Sequence, residues 1–80
     1  MIENKIIEQI AKAVMDGEVE IATDSTRTAL EAGLDPLQIL NDGLMAGADE
    51  VGKRFERGEY FLPELLLAGR ALKAAMEVLN

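Results

Sequence analysis

The sequence contains no cysteine and no histidine, and its 80 residues include only two phenylalanines and one tyrosine. Without cysteine the chain can form neither a disulfide framework nor a thiolate nucleophile. Without histidine it lacks the usual general base and the usual soft-metal ligand, so Ser25 has no imidazole partner for a Ser-His relay. The composition therefore disfavours an enzyme that works alone.

Positive charge is also scarce, because 15 acidic residues stand against 8 basic ones and the net charge is -7. This balance argues against nucleic acid, which needs a basic face, and against anionic membrane surfaces. No apolar run approaches the roughly 20 residues of a membrane span, and the charged N-terminal segment is unlike a signal peptide. We therefore expect a globular, cytoplasmic domain.

Apolar residues repeat at helical spacing in four segments, and glycine or proline separates these segments. The first segment stops at Gly17, and the second spans residues 18–32. Asp35 is a good N-cap and Pro36 suits a first helical turn, so a third helix begins there, and Pro63 begins a fourth. Because the links are short, consecutive helices should be antiparallel. The sequence thus predicts an all-α, antiparallel four-helix bundle.

The same spacing predicts which side chains face the core. In the second helix, either Ile21 or Ala22 is expected to be buried. The remaining predicted core residues are Ile2, Ile6, Ile7, Ile10 and Val14 in the first helix, Ala29 and Leu30 in the second, Leu37, Leu40, Leu44, Ala48, Val51 and Phe55 in the third, and Leu65, Ala68, Leu72, Ala75, Met76 and Leu79 in the fourth.

Three glycines, Gly43, Gly47 and Gly52, interrupt the third helix. A glycine in a helix interior costs about 1 kcal/mol relative to alanine, so each needs a reason. Close approach of another helix, or a kink, is the favoured explanation. Direct contact with a ligand remains open as the alternative. The spacing does not match the glycine-rich turn that cradles phosphate groups.

Carboxylates are plentiful in the C-terminal half of the chain. Asp42 and Asp49 lie seven residues apart on one helix face, but the predicted apolar stripe points elsewhere. A solvated acidic face is therefore favoured over a metal site. Glu50 and Arg54 have the i,i+4 order of a surface ion pair.

All aromatic residues lie near the junction of the third and fourth helices, where leucines are concentrated too. Aromatic side chains bury large apolar areas, so a small bundle would be expected to spread them through its core. One interpretation is that this group packs inside the bundle. The other is an exposed apolar surface for a partner domain or a flat ligand. The group consists of Phe55, Tyr60, Phe61, Leu62, Leu65, Leu66 and Leu67.

Several motifs in the second half of the chain resemble the helical cap domain of cobalamin-dependent methyltransferases. This family includes methionine synthase and the small corrinoid proteins that serve methanol and methylamine methyltransferases. The resemblance covers essentially the whole chain and is generic in its N-terminal third. The matching motifs are D-P-L-Q-I-L-N-D-G-L-M-A-G at residues 35–47, V-G-K-R-F at 51–55, G-E-Y-F-L-P-E-L at 58–65 and A-G-R-A-L-K-A-A-M at 68–76.

The resemblance implies a role for three side chains. In this family the bundle covers the upper face of the corrin ring and shields the methyl group on cobalt through a phenylalanine and two aliphatic residues. On the motifs of this sequence these residues are Phe55, Leu62 and Leu65. The resemblance also implies a non-catalytic module that moves aside when a methyltransferase takes the methyl group.

The family's cobalamin is held by a following Rossmann-like domain with an Asp-x-His-x-x-Gly motif, which this chain does not contain. We therefore expect residues 1–80 to be the helical cap domain alone, with no tight cobalamin binding of its own. The expected partners are a cobalamin-binding domain in cis and a cognate methyltransferase. The alternative is a stand-alone helical interaction module, for example a homodimer that buries Phe55, Leu62 and Leu65.

Overall fold

The computed structural model describes residues 2–80, with side chains from residue 4 onward. It contains four helices: α1 (Ile2–Met15), α2 (Val19–Glu31), α3 and α4 (Leu62–Leu79). The helix α3 consists of three consecutive segments, Pro36–Gln38, the π-helical Ile39–Met45 and Ala46–Glu56. No strand is present in the described part of the chain, so the all-α prediction is confirmed.

The four helices form a bundle in the cyclic order α1, α2, α4, α3, so that α2 and α3 lie on opposite sides. Residues 16–18 connect α1 to α2, and residues 57–61 connect α3 to α4. Such short links reverse the chain, which makes consecutive helices antiparallel. The predicted four-helix bundle is confirmed.

The helix ends lie close to the predicted signals at Gly17, Asp35 and Pro63. Gly17, Gly33 and Gly58 have positive φ angles of 68°, 88° and 78°, and each follows the last turn of a helix. The Asp35 side chain accepts a hydrogen bond from the Leu37 backbone N–H at 2.9 Å, as an N-cap residue does. The helix α4 begins at Leu62, one residue before the predicted start.

The buried side chains of α1 and α3 include large aliphatic ones, whereas those of α2 and α4 are small. Among the largest fully buried side chains, Ile10 and Val14 come from α1, and Ile39 and Leu44 from α3. By contrast, the buried residues of the neighbouring helices α2 and α4 are all small. They are Ala22, Ser25, Thr26 and Ala29 in α2, and Ala68, Ala71 and Ala75 in α4.

Close helix approach explains two of the three glycines in α3. A Cβ atom on Gly47 would lie 2.6 Å from the carbonyl oxygen of Ala11, and one on Gly43 would lie 3.1 Å from Cγ2 of Ile10. Both contacts are with α1, so these glycines let the two helices pack closely. A Cβ on Gly52 would meet nothing within 4 Å, so helix packing does not explain this glycine.

Several predicted core positions are wrong, and others were missed. Leu37 is 64% exposed, whereas Ile39, which the predicted stripe omits, is fully buried. The π-helical segment changes the number of residues per turn, so it rotates Ile39 toward the core.

The structure decides the choice left open in α2 in favour of Ala22, and it corrects one predicted core position in α4. In α2, Ala22 is buried and Ile21 is exposed; in α4, Ala71 is buried and Met76 is exposed. Because α2 and α4 are neighbours, their contact favours small side chains over large ones. The side chain of Ile2 lies outside the described residues.

Candidate functional site

An apolar surface is exposed where α3 ends and α4 begins. Phe55 is 42% exposed and Leu62 is 64% exposed, and Phe61, Leu66 and Leu67 are exposed as well. Leu65 is half-buried against the core. The interpretation in which this whole group packs inside the bundle is therefore wrong. We call Phe55, Leu62 and Leu65, the three predicted site residues, the apolar corner.

Leu65 also lines a shallow groove that continues from the apolar corner between α3 and α4. The groove has a volume of about 140 Å³ and is lined by Ala48, Val51, Leu65, Ala68, Gly69 and Leu72. A Cβ atom added to Gly52 of α3, or to Gly69 of α4, would meet no atom within 4 Å. Gly69 lines the groove, so the backbone of α4 is uncovered there.

Leu67 faces a different side of the bundle from this groove. A Cβ atom on Gly17 would lie 2.5 Å from Cβ of Leu67, so Leu67 packs at the end of α1. It lines a hollow of about 200 Å³ together with Met15, Asp16, Tyr60 and Glu64. The three consecutive leucines of α4 therefore divide between two surfaces, and only Leu65 lines the groove.

The first part of the turn between the helices is fixed by backbone hydrogen bonds. Gly58 donates its N–H to the Phe55 carbonyl at 3.0 Å, and Glu59 donates to the Arg54 carbonyl at 2.8 Å. This pair of bonds, with a positive φ at Gly58, is the Schellman arrangement at a helix end. At the start of α4, a Glu64 carboxylate oxygen accepts the Phe61 N–H at 2.7 Å.

A cluster of charged side chains lies beside the same turn. The Arg54 Nε donates to Glu50 Oε2 at 3.1 Å, and its Nη1 donates to the Tyr60 hydroxyl at 3.1 Å. The guanidinium carbon also lies 5.4 Å from the centre of the Tyr60 ring, within range of a cation–π contact. Arg57 contacts Glu59 at 2.8 Å and Glu50 at 3.4 Å.

The sequence predicts one of these contacts and misses the others. The ion pair between Glu50 and Arg54 is confirmed. The contact between Arg54 and Tyr60 depends on how the turn folds, and helical spacing gives no signal for it. An arginine directly before the phenylalanine of the V-G-K-R-F motif, with a tyrosine in the following turn, is the pattern that could have suggested it.

The hydrogen bond from Arg54 lowers the pKa of Glu50 below its ordinary value of 4.5. The bond to Glu50, and then the bond to Tyr60, raise the pKa of Arg54. Glu50 therefore stays ionised to lower pH in the folded chain than in the unfolded chain. The stabilisation from this pair is present above the unfolded pKa and is lost as the pH falls through the folded pKa.

The apolar corner can make contacts and exclude water, but its side chains carry no group that transfers a proton. Among residues 4–80, whose side chains the structure describes, no three Asp, Glu, His or Cys residues come together in a way that could hold a metal ion. Asp42 and Asp49 are both exposed, as expected for a solvated acidic face. Among the helices described, none is long and apolar enough to cross a membrane.

The fold and this surface together define a small helical domain with an exposed apolar corner. The family model described as "B12 binding domain" matches residues 6–80. The chain therefore belongs to the B12 binding domain family, and the resemblance predicted from its motifs is confirmed.

Relatives and solved structures agree with this assignment. The chain is 39% identical over 78 residues to trimethylamine corrinoid protein 1 of Methanosarcina acetivorans, matching 98% of this chain and 36% of that protein. The solved structure of the Methanosarcina barkeri monomethylamine corrinoid protein matches with a TM-score of 0.92 and 36% identity, over 95% of this chain and 36% of that chain.

A second solved structure is the methanol:cobalamin methyltransferase complex MtaBC from Methanosarcina barkeri. It matches with a TM-score of 0.87 and 32% identity, over 95% of this chain and 30% of that chain. The chain thus spans a little over a third of the length of the curated relatives that it matches, such as the 36% above.

Proposed function

We propose that residues 1–80 form the cap module of a corrinoid methyl-carrier protein and that the apolar corner covers the upper face of the bound corrinoid. The observation that carries this proposal is the exposure of Phe55 and Leu62 in a chain of the B12 binding domain family. A small bundle gains stability by burying such side chains. When such side chains instead form an exposed patch, the patch marks a surface that another molecule covers during function.

The residues present fit a cover for the corrinoid and do not fit a cobalt ligand. Phe55, Leu62 and Leu65 carry only hydrocarbon side chains, so they can pack on a ring but cannot coordinate cobalt. The uncovered backbone at Gly69, which lines the groove together with Leu65, would let a flat molecule approach there. A hydrocarbon corner next to a shallow apolar groove suits the face of a large, mostly apolar ring.

The bound corrinoid supplies the methyl-carrying chemistry, and the chain's own side chains supply shelter. Phe55, Leu62 and Leu65 exclude water from the covered face and offer neither a competing ligand nor a proton. The module is therefore non-catalytic in this proposal, because the difficult chemistry belongs to the cofactor and the protein positions and screens it.

The proposal also includes two partners for this chain. A Rossmann-like domain in cis would hold the corrinoid, and a cognate methyltransferase would receive or supply the methyl group. The greater length of the corrinoid-protein relatives supports a further domain. The similarity to a chain of a methyltransferase complex supports a methyltransferase partner. The bundle would have to move aside for the transfer, since it covers the reacting face.

The proposal predicts that Leu62→Ser combined with Leu65→Ser shortens the lifetime of the corrinoid-bound methyl group. Hydroxyls at these positions admit water to the covered face, so we expect roughly a tenfold faster loss, equivalent to about 1.4 kcal/mol. The measurement follows the corrinoid absorption spectrum over time in a protein that joins this chain to its cobalamin-holding domain. Circular dichroism checks that the bundle remains helical.

Leu37→Ser is the matched control, because Leu37 is also 64% exposed but lies at the other end of α3. It is roughly 25 Å from Phe55 along the helix, at about 1.5 Å per residue. An unchanged lifetime in the double variant would contradict the shielding role. If the same variant instead abolished self-association of the 80-residue chain in sedimentation experiments, the dimerisation alternative would replace it.

A further inference from the structure

Arg54 joins the two helix ends that present the apolar corner. In sequence it directly precedes Phe55 on the last turn of α3, and its bonding partner Tyr60 stands two residues before Leu62. The Arg54 Nη1 donates to the Tyr60 hydroxyl at 3.1 Å, and the guanidinium carbon lies 5.4 Å from the ring centre. One side chain thus bridges the turn that separates Phe55 from Leu62.

We propose that Arg54 is a positioning residue, which holds Tyr60 and thereby keeps Leu62 on the same surface as Phe55. The effect on the turn is a property of this chain alone. The effect on corrinoid shielding rests on the function proposed above.

Glu50 orients the guanidinium group of Arg54. Its Oε2 accepts from Arg54 Nε at 3.1 Å and from Arg57 Nη2 at 3.4 Å, so two arginines hold the carboxylate. The planar guanidinium can then donate to a carboxylate through one nitrogen and to a phenol through another. A lysine ammonium is a single point charge without this fork, so it cannot reproduce the arrangement.

Backbone bonds fix only the first part of the turn. Glu59 and Tyr60 both donate their N–H groups to the Arg54 carbonyl, at 2.8 and 3.2 Å. These bonds do not require the Arg54 side chain, so the turn should survive its removal. The Tyr60 side chain would lose its hydrogen bond to α3, and the extended residue Phe61 directly follows Tyr60.

An ordinary surface ion pair is the competing explanation for these contacts. The side chains of Arg54 and Glu50 are 35% and 34% exposed, and pairs of that kind contribute little to global stability. Global stability therefore cannot distinguish the two explanations. A measurement local to the turn, and one that depends on Leu62, can do so.

The first test is backbone amide hydrogen exchange in the 80-residue chain with Arg54→Met, which keeps an unbranched apolar stem and removes the guanidinium. We expect exchange at the hydrogen-bonded amides of Phe61, Glu64 and Leu65 to become about fivefold faster while α1 is unchanged, since local opening is independent of global unfolding. Tyr60→Phe, which keeps the ring and loses the hydroxyl, should give a smaller change in the same residues. Lys53→Met, which removes a neighbouring exposed positive charge, should change none of them.

The second test is a double-mutant cycle in the corrinoid-loaded protein. Arg54→Met should shorten the methyl-group lifetime about threefold when Leu62 is present and should have no effect in a Leu62→Ser background, because residues that act through one another are not additive. Arg54→Lys should give no more than partial rescue.

The two proposals fail in distinguishable ways. If Leu62→Ser itself leaves the lifetime unchanged, the proposed function fails, and the hydrogen-exchange result still decides the role of Arg54 in the turn. If Leu62→Ser acts and Arg54→Met adds to it independently, or if exchange at Phe61, Glu64 and Leu65 does not change, the positioning role of Arg54 is overturned.

Discussion

Replacing Gly47 with alanine is expected to lower the melting temperature of the chain by about 10 °C. The new Cβ would lie 2.6 Å from the Ala11 carbonyl oxygen and 3.1 Å from Cβ of Val14. The first of these atoms belongs to the α1 backbone, so the clash cannot be relieved by a rotamer change. Overpacking of this kind costs about 1–3 kcal/mol, and in a domain of this size each kcal/mol corresponds to about 4–8 °C.

Gly52→Ala is the matched control and should change stability in the opposite direction. It is the same substitution in the same helix, but its Cβ would meet nothing within 4 Å. Alanine is the better helix former by about 0.5–1 kcal/mol, so the melting temperature should rise by several degrees. Thermal unfolding followed by circular dichroism measures both variants. Destabilisation of similar size by both would contradict the assigned packing of α3 against α1.

Leu44→Ala should have the second large effect, with a loss of about 3 kcal/mol. Leu44 is fully buried in the π-helical segment, and truncation of such a residue removes apolar contacts and leaves a cavity. A chain of this length has a total stability of only about 4–12 kcal/mol, so the variant would lose a large share of it. Urea denaturation gives the free energy, and the slope should not change if only stability is affected.

Leu62→Ala is the same substitution at an exposed position of the apolar corner. Because Leu62 is 64% exposed, we expect the substitution to change the free energy of unfolding of the chain by less than about 0.5 kcal/mol. A cost at Leu62 similar to that at Leu44 would show that the corner belongs to the core and would contradict its proposed role as a binding surface.

The helix ends were predictable because short-range chemistry decides them. Positive φ angles at Gly17 and Gly33 follow from the glycine that ends each helix. The Asp35 N-cap uses a side chain that forms its bond within its own turn. Such signals need no knowledge of the tertiary structure, and the bundle topology then follows from the short links.

Core positions were less predictable where the helix geometry or the neighbouring helix decides them. A regular helix from Pro36 would have buried Leu37, but the π-helical segment buries Ile39 instead. Similarly, the close contact of α4 with α2 selects Ala71 over Met76 for burial. The spacing of apolar residues within one helix cannot reveal the shape of the helix that packs against it.

The candidate site was located from family motifs, and its surroundings required the structure. The motifs placed Phe55 and Leu62 together, and both are exposed on the corner. The bond between Arg54 and Tyr60 spans a non-helical turn, so no periodic rule predicts it. The open space beside Gly52 is equally invisible in the sequence, where this glycine looks the same as Gly47.

The most direct test of the cap role is the distance from Leu62 and Leu65 to the cobalt. The measurement is methyl NMR of a protein that joins this chain to the proposed cobalamin-holding domain, with the cobalt reduced to its paramagnetic divalent state. Unpaired electron spin broadens nearby resonances, so the methyl signals of Leu62 and Leu65 should be broadened while those of Leu37 stay sharp. Sharp signals from Leu62 and Leu65, with broadening at Leu37 or at α2, would contradict the proposal that the apolar corner covers the corrinoid.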